Sequence, residues 1–250
     1  MFVNNYDSVA DIYDIYNQSD YDIDFYLKRY RDFKGNAIEL MAGTGRLAIP
    51  LLKSGMRLDC LDISPHLLAK LNEKVKKYNV DTQIFNADIR ELTLAKAYDL
   101  IIIGFNSLSE IIDEHDLESI FRALYNHLSI HGEFVFSLYN PDYRRKYINN
   151  ALCLVNEYQH MEQKVLFFIS SKEDKNSIVD VTQLYEFYNA AGCLERKKLL
   201  KLKFRLIGKE EIEKLIIKAG FLIKDVFGNY NEDLFDAAAS PFMIYIVTKD

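Results

Sequence analysis

Cysteine is scarce in this chain of 250 residues: Cys60, Cys153 and Cys193 are odd in number and widely spaced. They form no CxxC pair and no His/Cys cluster, which argues against a disulfide framework or a zinc site. They read as packed or idle thiols of a reducing cytoplasm. Positive charge is not in excess either. With 31 Lys and Arg against 37 Asp and Glu the net charge is −6, so binding to nucleic-acid phosphates has no electrostatic footprint. Long apolar runs are missing as well; a run such as residues 100–105 is too short to span a bilayer. The stretch Met1-Phe2-Val3-Asn4-Asn5-Tyr6-Asp7 carries neither a basic segment nor an apolar one, and is read as no signal peptide. What remains is an ordinary globular composition, long enough for one large domain or one domain with a small insertion.

The most informative stretch is Ala37-Ile38-Glu39-Leu40-Met41-Ala42-Gly43-Thr44-Gly45-Arg46. It reads as the end of a buried strand, a tight Gly-x-Gly turn and the start of a helix carrying Leu47, Ala48, Leu51 and Leu52. Glycine serves where φ is positive or the backbone must approach a ligand. A strand, such a turn and a helix N-terminus present N–H groups to a nucleotide-type cofactor on an α/β sheet. Gly43-x-Gly45-x-x-Ala48 even satisfies the dinucleotide fingerprint. Glu39 discriminates: a carboxylate inside the strand, four residues before the first glycine, suits a cofactor with a cationic head. Asp62 ends the next strand, Leu58-Asp59-Cys60-Leu61-Asp62, where an acid can accept from ribose hydroxyls.

Ser64-Pro65 starts a second helix, with Ser64 as N-cap and Pro65 at the first helical position. Residues 82–86 read as a third strand, followed by Asp88-Ile89. Tyr98-Asp99-Leu100-Ile101-Ile102-Ile103 is the continuous apolar run of a central strand covered on both faces. It ends in Gly104-Phe105-Asn106-Ser107. Ligands bind beyond the carboxyl ends of such strands, so Phe105, Asn106 and Ser107 stand where a cofactor meets an acceptor. Glu110, one turn further on, faces either that acceptor or solvent. A helix over residues 117–128 and a fifth strand over 133–138 follow, the latter ending in Tyr139-Asn140-Pro141. Pro141 takes the chain out of the sheet.

Residues 39–45, Asp62, Asn86-Ala87-Asp88-Ile89, residues 98–102 and Leu128-Ser129-Ile130-His131-Gly132 together resemble the class I S-adenosylmethionine (SAM)-dependent methyltransferases. The resemblance covers residues 1–140 and the segment from Phe204 onward. It implies an α/β fold with a Rossmann-like seven-stranded sheet, helices on both faces and an antiparallel last strand. It implies SAM as cofactor, held by Glu39, Ala42, Gly43, Gly45, Asp62, Ile63, Asp88, Ile89 and Phe105. Asp88 would accept from the adenine amino group and the Ile89 N–H would meet a ring nitrogen. Residues 1–35 would form a helical cap over cofactor and substrate; most of its tyrosines read as packing on the sheet edge, and Tyr13 either packs there too or serves the site.

Residues 142–203 change character. Residues 165–169, 178–187 and 195–204 look like strands, with a polar turn at 172–176. This antiparallel ribbon is inserted between a SAM-binding part, 1–141 with 204–250, and itself resembles the lids of amino-sugar N-methyltransferases and glycine N-methyltransferase. Tyr185, Phe187 and Tyr188 would then close over a small organic substrate; the alternative is a homodimer surface or an edge cover. Tyr13, Asn106, Tyr139 and Tyr185 are the substrate-side candidates, and Tyr13, Asn106 and Glu110 the catalytic ones. No metal ligand set is seen. The expected reaction is methyl transfer to a small molecule, nitrogen ahead of oxygen, because a neutral amine needs little base whereas a hydroxyl needs a base or a metal. Two rivals stay open: an NAD(P)-dependent oxidoreductase on the same fold, and a non-catalytic SAM-binding regulator.

Overall fold

A computed structural model describes residues 4–249. Met1–Val3, which open the stretch read as lacking a leader, and Asp250 lie outside them. The first elements are two short helices, α1 (Tyr13–Tyr16) and α2 (Ile23–Arg29). An alternating half follows: β1 (Ala37–Leu40), α3 (Ala48–Lys53), β2 (Leu58–Asp62), α4 (Pro65–Tyr78), β3 (Ile84–Asn86), β4 (Tyr98–Ile103), α5 (Glu114–His127) and β5 (Leu128–Tyr139). The short helix α6 (Pro141–Arg145) leads into β6 (Cys153–His160), β7 (Gln163–Glu173), β8 (Ile178–Tyr188) and β9 (Leu194–Arg205). The chain closes with α7 (Lys209–Ala219), β10 (Leu222–Phe227) and β11 (Phe242–Thr248).

The main sheet has seven strands in the order β10-β11-β5-β4-β1-β2-β3. Pairings among β3, β2, β1, β4 and β5 are parallel, and β11 runs antiparallel to both its neighbours. The period of two along each strand sorts the side chains. Ile38, Leu40, Ile101, Ile103, Phe134 and Phe136 pack with α5 and α7. Ala37, Leu100, Ile102, Val135, Ile244 and Ile246 pack with α2, α3 and α4. This is the Rossmann-like sheet with helices on both faces that the sequence implies. Strand order reverses at β1, which lies between β4 and β2. The crevice beyond the carboxyl ends there is the natural ligand position.

A separate antiparallel sheet has the order β6-β7-β8-β9. The sequence shows three of these strands. β6 escapes because Cys153-Leu154-Val155-Asn156-Glu157-Tyr158-Gln159-His160 does not alternate. It is an edge strand with a bulge between Leu154 and Asn156, and Leu154 and Val155 are about half exposed. The inward face of this sheet, with Val165, Phe167, Tyr185, Phe187 and Leu200, buries Val9 and Ile12 of the N-terminal segment. The cap is therefore held between the two sheets.

Some boundaries also move. β3 begins at Ile84. α5 begins three residues earlier than its first apolar position, because Asp113 caps it by accepting from the N–H groups of His115 and Asp116. β5 starts directly at Leu128 and is bent at His131, whose φ is 63° and whose N–H donates to the Lys249 carbonyl.

Gly45 has a packing reason that its motif does not show. Its φ is +77°, and a Cβ there would lie 2.3 Å from Leu71 Cδ1 of α4. Gly55 has φ +91° with nothing within 4 Å. Gly55→Ala should cost about 1–2 kcal/mol of backbone strain alone, whereas Gly45→Ala should cost distinctly more, since overpacking typically adds about 1–3 kcal/mol. Urea denaturation of the two variants measures this; equal losses would mean that α4 yields freely at Leu71.

Candidate active site

The turn after β1 is tied to the end of β2 by one carboxylate. Asp62 Oδ2 accepts from the Gly43 N–H at 2.7 Å and Oδ1 from the Ser64 N–H at 2.8 Å. Asp62 is 7% exposed, and burial raises its carboxyl above the usual range although both backbone donors oppose this. Gly43 can serve as donor here because its φ of +57° turns the backbone toward β2. Ser64 caps α4 as expected, accepting from the Leu67 N–H.

A cavity of about 480 Å³ opens over this turn. Gly43, Asp62, Ile63, Ala87, Asp88 and Ile89 form one wall. Asn4, Tyr6 and Tyr13 of the cap, Glu110 after β4, and Ile178 of the second sheet line the remainder. The structure thus brings eight residues singled out in the sequence to one cavity: Gly43, Asp62, Ile63, Asp88, Ile89, Tyr13, Ser107 and Glu110. Asp88 also caps the short turn that follows, accepting from the Arg90 N–H at 2.9 Å, and it takes the Arg90 guanidinium on both oxygens. Burial works to raise its carboxyl, but Arg90 holds it below the ordinary value. Glu110 is not a solvated side chain. Oε1 accepts from the Tyr6 hydroxyl at 2.7 Å and Oε2 from Asn4 Nδ2 at 2.8 Å, and burial raises its carboxyl.

The other sequence candidates lie off this cavity, each for a structural reason. Ala42 is 6% exposed and is used within the turn: its N–H donates to Leu61 and its carbonyl accepts from Gly45. Gly45 packs against Leu71. Phe105 is covered by the Arg46 guanidinium, 4.4 Å from its ring centroid, and by Tyr21 at 5.9 Å. Tyr139 stacks on Phe242 at 5.7 Å, with the Arg144 guanidinium 5.1 Å from its ring. Tyr185 and Phe187 do not face the cavity; they are fully buried beneath the cap, and Tyr185 Oη donates to Gln183. Alternation along β8 finds the face correctly, but that face turns toward Val9 and Ile12.

Glu39 and Asn106 do not line this cavity either, but they differ from the residues above in being unpartnered. Glu39 is 5% exposed, and its Oε2 has no hydrogen-bond partner. Burial pushes its carboxyl up to about 8; Arg46 opposes the rise, while Asp22 and Asp62 add to it. Arg46 is itself held by Asp22, with NH1 and NH2 donating to separate oxygens at 2.6 and 2.7 Å. Asn106 is 3% exposed with φ 60°, and neither atom of its amide has a partner. Its backbone is fixed by donation to Ser137 Oγ and by acceptance from the Ser109 hydroxyl. Buried polar groups are normally satisfied, so these two residues, at the carboxyl ends of adjacent strands, are candidates for ligand contacts.

Sequence reasoning missed Asn4 and Tyr6, which belong to no motif, and Asp22, whose partner Arg46 lies 24 residues away. A cluster of Asp113, His115 and Asp116 also lies at the rim; Asp113 is committed to capping α5. No helix among the described residues is long and apolar enough to cross a membrane.

Residues 37–132 match the family model described as "Methyltransferase domain", in agreement with the resemblance read from the motifs of this stretch. A protein of Geobacillus sp. (strain WCH70), provisionally named a methyltransferase, is 28% identical over 142 residues, which are 54% of this chain. The match spans 58% of that relative's length. A crystal structure of an S-adenosylmethionine-dependent methyltransferase from Clostridium acetobutylicum ATCC 824 superposes with a TM-score of 0.81 at 22% identity, covering 98% of each chain. The sugar N-methyltransferase KedS8 from Streptoalloteichus sp ATCC 53650 gives 0.75 at 15% identity, covering 100% of this chain and 95% of that one. At these identities the solved structures establish the fold.

Glu39 generates a stability prediction. A carboxyl raised on folding holds more protons in the folded state than in the unfolded one. Its contribution is therefore present below the unfolded value and is lost as pH rises toward the folded one, here about 8. Glu39→Gln keeps the shape without the charge. In thermal melts of ligand-free protein, the wild type should lose stability relative to this variant from about pH 5 to about pH 8. Parallel melting curves across that range would show that the Glu39 carboxyl is not perturbed by its burial.

Proposed function

We propose that this chain transfers a methyl group from SAM to a small-molecule acceptor, with nitrogen ahead of oxygen. The observation that carries the reading is Glu39: a buried carboxylate oxygen without a partner at the end of the central strand calls for a cationic ligand group. An amino acid's ammonium fits that need with both charge and N–H donors, whereas the cationic pyridinium of an oxidised nicotinamide dinucleotide has no N–H to donate. The rest of the site is compatible with the same cofactor. Asp62 keeps lone pairs for ribose hydroxyls beyond the two it gives to the backbone. Asp88 and Ile89 stand in the cavity wall for adenine. Ala42, Gly45 and Phe105 would act by shaping the turn and its cover. Bound SAM supplies an electrophilic methyl on a sulfonium. The chain's own part is alignment, which can contribute roughly 7–11 kcal/mol, and exclusion of water. The matching methyltransferase domain and the N-methyltransferase among its structural neighbours support the reading.

In this proposal residues 1–141 with 204–250 hold the cofactor, and residues 142–203 act on the acceptor side. They do so by holding the cap from behind: Tyr13 touches Tyr16 at 5.3 Å, and Tyr16 touches Tyr185 at 4.9 Å. Tyr185 would bear on the substrate through that stack. Phe167→Ala, which opens the buried face under Val9 and Ile12, should speed limited proteolysis within residues 4–17; unchanged cleavage would remove the ribbon from this role.

Calorimetry tests the cofactor. S-adenosylhomocysteine should bind and NAD(H) should not. Asp62→Asn should weaken the binding by roughly 1.5–3 kcal/mol, the worth of hydrogen bonds to a charged group. Glu39 should ionise on pairing with the ligand ammonium, so binding at pH 7 should release a proton, detected as a dependence of the enthalpy on the buffer's own ionisation heat. Glu39→Gln should abolish that dependence. Tight NAD(H) binding without S-adenosylhomocysteine binding would overturn the proposal.

A further inference from the structure

Glu110 is the one acid of the cavity wall whose surroundings come from the cap. The Tyr6 hydroxyl and the Asn4 amide each donate to one of its oxygens. Asn4 is 8% exposed and fixed independently, because its Oδ1 accepts from the Lys203 N–H and its Nδ2 also donates to the Lys203 carbonyl. The segment is further latched by Asp7, which accepts from Ser64 Oγ at 2.6 Å, and by Asp14, which accepts from Thr44 Oγ1 at 2.6 Å. Tyr6 and Tyr13 meet edge to face with centroids 5.6 Å apart. Among the described residues no lysine, arginine or histidine pairs with Glu110. Each of its oxygens retains acceptor capacity. A carboxylate in a cavity wall, ringed by tyrosine faces and without a cation of its own, has the make-up of an ammonium site.

Building on the methyltransferase reading, we propose that the acceptor is a small amine and that Glu110 binds its N–H group and takes its proton. The amine binds as its ammonium and gives one proton to the Glu110 carboxylate, which frees the nitrogen lone pair. That lone pair attacks the methyl carbon as the carbon–sulfur bond breaks and its electron pair goes to sulfur. The products are the N-methylated ammonium and neutral S-adenosylhomocysteine, and Glu110 later releases its proton to solvent. Asn4 and Tyr6 are positioning residues: they orient the carboxylate and keep it available as an acceptor.

The titratable groups facing Glu110 are Tyr6, Tyr13 and Tyr16 of the cap and Asp62 at the end of β2. The tyrosines are raised by burial and stay neutral. Asp62 adds to the rise that burial gives Glu110, whereas the donations from Asn4 and Tyr6 oppose it. Amine binding should therefore strengthen with rising pH as Glu110 ionises.

The experiment uses the full chain saturated with S-adenosylhomocysteine and two probes of one shape, cyclohexylamine and cyclohexanol. The amine should bind more tightly than the alcohol by about tenfold or more, as a charge-assisted hydrogen bond gives, and the preference should fade as pH falls. Glu110→Gln should erase the preference while S-adenosylhomocysteine affinity stays within a few-fold. Tyr6→Phe removes one donor, which raises the Glu110 carboxyl, so the midpoint of amine binding should move to higher pH. Equal binding of amine and alcohol, a preference that survives Glu110→Gln, or an unmoved midpoint in Tyr6→Phe would overturn the proposal. Because S-adenosylhomocysteine is titrated first, its failure to bind would strike the methyltransferase reading instead.

Discussion

A carboxylate with an unpartnered oxygen, placed inside a sheet that helices cover on both faces, is the constraint around which the binding end of this molecule is arranged. Glu39 cannot be hydrated there, and an isolated buried charge is expensive enough that such a group neutralises first. Its neighbours limit the penalty without removing it. Arg46 supplies positive charge from the residue after the glycine turn, but Asp22 on α2 occupies the guanidinium with two hydrogen bonds. Were Arg46 free to pair with Glu39, the acid would be satisfied within the protein. Asp22 prevents this by holding the arginine as its own partner, which leaves Glu39 open to a ligand.

The same arrangement explains why the N-terminal segment and the second sheet belong to the site. Tyr6 and Tyr13 reach the cavity from a segment with little regular structure. Its polar latches are hydrogen bonds from Ser64 and Thr44 to the carboxylates of Asp7 and Asp14, each worth up to about 1.5–3 kcal/mol. Burial of Val9 and Ile12 against β7, β8 and β9 is of the same order, since a fully buried aliphatic side chain contributes about 1.5–3 kcal/mol. The cap is thus anchored by apolar contact to one sheet and by polar contact to the other. Asn4 spans both attachments, joining the Lys203 backbone of β9 to Glu110.

The main sheet was legible in the sequence because its signals are local: apolar runs of strand length, glycines after β1, Ser64-Pro65 before α4, Pro141 after β5. The place of Gly43, Asp62 and Asp88 in the cavity wall was legible for the same reason, as each stands at a fixed offset from a strand end. What lay beyond local pattern was partnership. Alternation showed that Tyr185 and Phe187 share a face, but it could not show that Val9 and Ile12 cover it. Phe105 and Asn106 were placed correctly at the end of β4. Both turned out left-handed, with φ of 55° and 60°, which directs Phe105 beneath Arg46 and buries Asn106 against β5. Whether Glu110 faces the cavity or solvent was not legible, because the residues that bury it, Asn4 and Tyr6, lie more than a hundred positions earlier.

Charge decides between the two cofactor types that share the Gly43-x-Gly45-x-x-Ala48 pattern. Asp62 lies close enough to raise both Glu39 and Glu110, and Asp22 also raises Glu39. Two acids, Asp22 and Asp62, therefore act on Glu39, and Arg46, which opposes them, is already paired with Asp22. A pyrophosphate placed at this turn would add negative charge to a cluster that already resists ionising. An adenosyl amino acid brings an ammonium and a sulfonium, which lower the electrostatic penalty of the carboxylates they approach and lose nothing at the turn's backbone N–H groups. The Gly43 N–H itself is already given to Asp62, so the donor that a phosphate would need is the one the protein has spent on holding its two strand ends together.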